Sequence, residues 1–252
     1  MAWFEARCPV VADEQTWIDD NLRWFVGQFG SSWLHSPVVL PTDDFFPGEY
    51  SGSEQDIRDA VTRVCGYMGV VPGRVHVDFS AEALPGEVTD WIPVSASWSG
   101  AAGHYRTVGG KALISLEESL GQTPLALIAT VAHELAHERL LGEDRVRPDR
   151  VDQEPLTDLL TVFLGFGVVS ANAALEFSNR AEGRHSRWSA SRLGYLTEPM
   201  FGYALARYAW MRGEQDPDWA DFVDTNPRAS LKKGLRFLKR SGDNIASPVV
   251  GA

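Results

Sequence analysis

The sequence predicts an α+β protein with a small, mostly antiparallel sheet, a long apolar helix after it, and a helical C-terminal part. Three observations carry this reading. Short stretches with strand-like alternation cluster between residues 75 and 116. A Gly109-Gly110 pair sits between two of them, as in a tight hairpin. From Thr123 onward every periodic stretch has helical spacing. Strands and helices that segregate along the chain in this way give an α+β architecture. The 252 residues suit a single domain, with helices and sheet in 1–122 and the helical part in 123–252.

Taken in order, a first amphipathic helix is expected from Glu14 to Phe29, where Trp17, Asn21, Trp24 and Phe25 set the spacing. Pro41 to Gly52 reads as a loop rich in turn formers. Ser53, with Asp56 three residues on, opens a second helix whose apolar face is Ile57, Ala60, Val61, Val64 and Met68 and whose end is Gly69. Val75–Phe79 and Trp91–Trp98 read as strands, and Tyr105–Val108 with Ala112–Leu116 as the hairpin. Thr123 caps the next helix, Pro124 takes its first position, and Gly142 stops it. Further helices are expected from Glu154 to about Phe177, from Thr197 to Arg212, and from Ser230 to Lys239.

Composition narrows the function. The net charge is −11, from 23 Lys+Arg against 34 Asp+Glu, so a phosphate backbone is repelled and nucleic acid is excluded as a partner. The two cysteines, Cys8 and Cys65, are far apart among apolar neighbours and read as buried free thiols. The first residues show no basic leader before an apolar run, and the cytoplasm is the expected location. Leu159–Leu175 is apolar enough to suggest a membrane span, but Asn172, two glycines and the nearby Glu154 and Asp158 favour a buried core helix.

The chemistry is concentrated in His133-Glu134-Leu135-Ala136-His137. Residues four apart on a helix lie on one face, so both imidazoles reach one cation. Glu134, one step round, can take a proton from a metal-activated water without occupying the metal's open position. A catalytic zinc has three protein ligands as a rule. HExxHxxGxxH fails to supply the third, because Leu140 and Glu143 stand at the last two positions. The best candidate is Glu154, and Asp158, four residues later, can accept the outer N–H of a ligand histidine.

HELAH followed by EPLTD resembles the gluzincin metallopeptidases, the thermolysin-like group, over about Thr123 to Phe177. The resemblance implies a zincin-like fold in a compact form, Zn2+ on His133, His137 and Glu154, Glu134 as general base, and Asp158 behind one histidine. It implies hydrolysis of a peptide or protein substrate. It also implies that Ala112–Leu116 lies at the cleft edge, where an extended peptide could pair. Such enzymes add a His, Tyr or Arg to stabilise the oxyanion, and His185 and Tyr195 are the candidates in this chain. The alternative is a zinc-binding regulatory or interaction protein without turnover. His35, His76 and His104 read as structural, and the basic terminal helix as one that docks Leu231, Leu235 and Leu238 and solvates its lysines.

Overall fold

The structure is a computed structural model and describes residues 6–80, 103–108, 111–182 and 196–242. These divide into two compact units. One is built from residues 6–40, 159–175 and 196–242, the other from 41–80, 103–108, 111–158 and 176–182.

In the first unit, helix α1 (Ala12–Phe29) buries Ile18, Asp19, Leu22 and Phe25. Trp17, Asn21 and Trp24 lie at its margins. The buried face is therefore turned by one residue from the face expected. Aliphatic side chains seat in the core, while each tryptophan, too large to bury whole, covers its edge. Phe25 packs on Phe163 with ring centroids 5.5 Å apart. Helices α6 (Glu198–Met211) and α7 (Thr225–Ser241) lie close together. A Cβ at Gly202 would overlap Ser230 Cβ and meet the Pro227 carbonyl at 2.6 Å, and one at Gly234 would meet Ala206 Cβ at 2.7 Å. One glycine on each helix thus permits the approach. Helix α7 starts at Thr225, five residues before the expected Ser230, and buries Leu231, Leu235 and Leu238.

The stretch Gln153–Ala174 is long and apolar enough to cross a membrane, and 94% of its most apolar window is buried inside the protein. It is interrupted by a π-helical turn, Val162–Phe166, in which Gly165 has φ +91°, and goes on as helix α5 (Gly167–Glu182). A Cβ there would meet the Pro37 carbonyl at 2.6 Å, while the Gly165 carbonyl accepts from Val39 N–H at 2.9 Å.

In the second unit, helix α2 (Glu54–Met68) has the expected ends. Ser53 Oγ accepts from Asp56 N–H at 3.2 Å, and Asp56 Oδ2 accepts from Ser53 N–H at 3.2 Å. Such a cap contributes about 1 kcal/mol. Hydrogen bonds from the Ser51 hydroxyl and amide, joined by those from Ser53, hold the Asp56 carboxyl at about 2. Gly69 closes the helix in the left-handed conformation. Cys65 is free and buried, and burial pushes its thiol up to about 11; Cys8, in the first unit, is free and half-buried.

The sheet overturns the fold expected for it. Strands β1 (Val75–Ser80), β2 (Gly103–Val108) and β3 (Lys111–Glu117) are ordered β1-β3-β2. β2 pairs β3 antiparallel, with Val108 opposite Lys111, the register expected of a tight hairpin. β1, however, pairs the other side of β3 in parallel, Val75 opposite Ala112 and Val77 opposite Ile114. Among the described residues the sheet is mixed rather than mostly antiparallel, helices dominate, and these three strands do not form the mostly antiparallel zincin-like sheet expected. Alternation marks a strand but not its partner. The residues between β1 and β2 are numerous enough for the chain to pass over one strand position. The central place of β3 also corrects the expectation for Ala112–Leu116. Both of its sides are already hydrogen-bonded, so it offers no edge to a peptide. Trp91–Trp98, read as a strand, lies outside the described residues.

Candidate metal centre

Helix α3 (Pro124–His137) begins with Pro124 at its first position. Thr123 stands at the cap, but its hydroxyl donates to Leu120 O at 3.4 Å instead of capping. The helix is buried from Ala126 to its end, so its polar residues must find partners inside the protein.

His133 and His137 lie on one face, ring centroids 4.8 Å apart and Nε2 atoms 3.1 Å apart. Helix α4 (Gln153–Thr161) brings Glu154 against them. Its Oε2 is 3.1 Å from His133 Nε2 and 3.5 Å from His137 Nε2. The three atoms form a triangle. Bonds of 2.0–2.1 Å in tetrahedral geometry place ligand atoms about 3.3–3.4 Å apart, so the edges fit such an ion within a few tenths of an ångström. The His133, His137 and Glu154 group could hold a metal ion.

The surroundings favour positive charge there. His133 Nδ1 is 2.9 Å from Asp158 Oδ1. A carboxylate only accepts, so this ring nitrogen carries a proton and Nε2 is the atom that the neutral ring would offer to a metal. Burial opposes a charge on His133, but hydrogen bonds to Asp158 and Glu154, with the charges of Asp158 and Glu134, outweigh it and hold the ring well above the usual imidazole range. Burial likewise works against ionised Glu154, yet both histidines hold its carboxyl down at about 2. The cluster thus attracts a cation, whether a proton or a metal ion. Glu134 is 1% exposed, close enough for its charge to act on His133.

His137 is fully buried and held from two further directions. Tyr105 of β2 stacks on it, centroids 5.9 Å apart and planes 22° from parallel. Thr157 Oγ1 lies 3.3 Å from its Nδ1. Immediately after His137 the helix widens into a π-helical turn, Glu138–Gly142, a form common beside functional sites. It turns Glu138 inward, where its carboxylate accepts from the Tyr105 hydroxyl at 2.7 Å and pairs with Arg74 at 2.8 Å. Gly142 makes room: a Cβ there would overlap the Glu138 carboxylate and come within 2.8 Å of the Tyr105 hydroxyl. Gly142→Ala is therefore expected to push Glu138 off Tyr105 and lower stability by about 1–3 kcal/mol, the cost of an unpaired buried polar group. Chemical denaturation measures this, and an unchanged midpoint would mean that Glu138 moves aside freely.

Of the residues proposed from the sequence, the structure brings His133, His137, Glu154 and Asp158 together, with Glu134 beside them. His185 and Tyr195 lie outside the described residues. His35 and His76 are exposed. Sequence reasoning missed Thr157 and the Tyr105–Glu138–Arg74 set. Thr157 left a signal, since it stands three residues after Glu154 on the same helical face. Tyr105 and Arg74 left none, because they arrive through the sheet.

No protein-family model, curated protein or solved structure matches this chain. The candidate centre therefore rests on its own chemistry.

Proposed function

We propose that this protein is a zinc-dependent hydrolase, acting on peptide bonds of a peptide or protein substrate. One observation carries the reading: two imidazole nitrogens and a carboxylate oxygen converge with edges of 3.1, 3.1 and 3.5 Å, with a further buried carboxylate, Glu134, adjoining them. His133, His137 and Glu154 would hold the ion. Nitrogen and oxygen donors in this number suit zinc and leave it an open coordination position. When bound, zinc polarises a carbonyl and makes water acidic enough to attack near neutral pH. Glu134 is the group suited to take the proton of that water and pass it to the leaving amine. Asp158 holds the His133 ring in its ligating orientation. The resemblance of HELAH and EPLTD to the gluzincin motifs supports the same assignment.

Metal analysis tests the first half of this reading. Purified protein is expected to carry about one zinc per chain, and carefully prepared protein without zinc would overturn it. A peptide-library screen tests the second half.

A further inference from the structure

We infer that Thr157 is the positioning residue for His137, fixing the proton on its Nδ1 and so turning its Nε2 lone pair toward the metal. The inference rests on the metal reading above and extends it to the histidine that Asp158 does not serve.

The argument is a count of protons. A threonine hydroxyl has one hydrogen to donate and lone pairs to accept with. Thr157 Oγ1 is 2.9 Å from the carbonyl oxygen of Gln153, one turn back on α4, and 3.3 Å from His137 Nδ1. The carbonyl can only accept, so the hydroxyl hydrogen points to Gln153. What faces His137 is then a lone pair, and Nδ1 must be the donor. In a neutral imidazole with Nδ1 protonated, Nε2 is bare. That is the atom lying 3.1 Å from His133 Nε2 and 3.5 Å from Glu154 Oε2. With Asp158 accepting from His133 Nδ1 at 2.9 Å, each histidine has an acceptor behind it, and both acceptors come from the helix that carries the third ligand. Glu154, Thr157 and Asp158 occupy a single turn of α4.

The two supports differ in character. Asp158 brings a full negative charge to His133, whereas Thr157 offers His137 a neutral oxygen. Thr157 and His137 are both fully buried, so water does not readily replace this partner. The stacked Tyr105 ring restrains the imidazole plane but supplies no acceptor to Nδ1.

Thr157→Val keeps the branched shape and removes the hydroxyl, while Thr157→Ser keeps the hydroxyl. Zinc affinity, measured by competition with a chromogenic chelator, is expected to fall about 10–100-fold in Thr157→Val, the usual scale for loss of a partner behind a ligand, and to stay within about threefold in Thr157→Ser. Histidine-nitrogen NMR on metal-stripped wild type reads the ring directly and does not depend on any variant folding. A neutral His137 ring with its proton on Nδ1 supports the inference, and a neutral ring with its proton on Nε2 overturns it. Wild-type affinity in a folded Thr157→Val also overturns it. Wild type that binds no zinc would sink the metal reading, and the NMR measurement would still decide the role of Thr157.

Discussion

Glu134→Gln is expected to fold normally, keep its zinc, and lose hydrolysis by roughly a hundredfold or more, the usual scale for a general base. Glutamine keeps the size of the side chain and its capacity for hydrogen bonds but lacks the basic oxygen. The metal should stay because the converging triangle is formed by His133, His137 and Glu154 without Glu134. At 1% exposure Glu134 is shielded from bulk solvent, so an exogenous base has little chance to substitute for it. The measurement is paired, zinc content beside turnover of whatever peptide the screen yields. A metal-replete variant with unchanged turnover would assign the proton to another group. Wild type that is silent across broad peptide libraries would favour the regulatory alternative.

The second large effect concerns the corners of the triangle. Removing any one of them, by His133→Ala, His137→Ala or Glu154→Ala, is expected to strip most of the zinc. Two ligands remain in each case, too few to define a protein site of this kind. Each change also leaves a partner facing a gap; in His133→Ala these are the buried carboxylate of Asp158 and the half-buried one of Glu154. Asp158→Asn should cost less, about 10–100-fold in affinity, because it touches the ion only through His133. Zinc retained in full by Glu154→Ala, with loss in Asp158→Ala, would exchange the two roles.

What could be read from the sequence was what one helical turn encodes. The i, i+4 spacing of His133 and His137, and of Glu154 and Asp158, places each pair on a face wherever the helix goes. The Ser53–Asp56 cap and the Gly69 terminus are equally local. Features that depend on a distant partner were not legible. Alternation located β1, yet its parallel pairing with β3 depends on the path of the chain before β2. Tyr105 reaches His137 only because the β2–β3 register sets it opposite Ile114, on a buried row of the sheet. The close approach of α6 and α7 at Gly202 and Gly234 is a property of two surfaces together. The face of α1 was misread for another reason. Its tryptophans outweigh Ile18 and Leu22 in a hydrophobic pattern but are half-buried in the folded chain.

The concentration of Glu154, Thr157 and Asp158 in one turn bears on how this chain can drift in length. The segment 143–152, which joins the two halves of the centre, is half-buried or exposed. It is stitched by short-range ion pairs such as Arg147–Asp149 and Arg150–Asp152 and by local backbone hydrogen bonds. An added residue there can be absorbed by the backbone, as surface connections commonly absorb one. Between Glu154 and Asp158 no such slack exists. A single insertion before Thr157 turns everything after it by about 100°, carrying the supports of both histidines away while leaving the Glu154 carboxylate where it was. Lineages of this protein should therefore vary freely in the length of the connection and not at all within that turn.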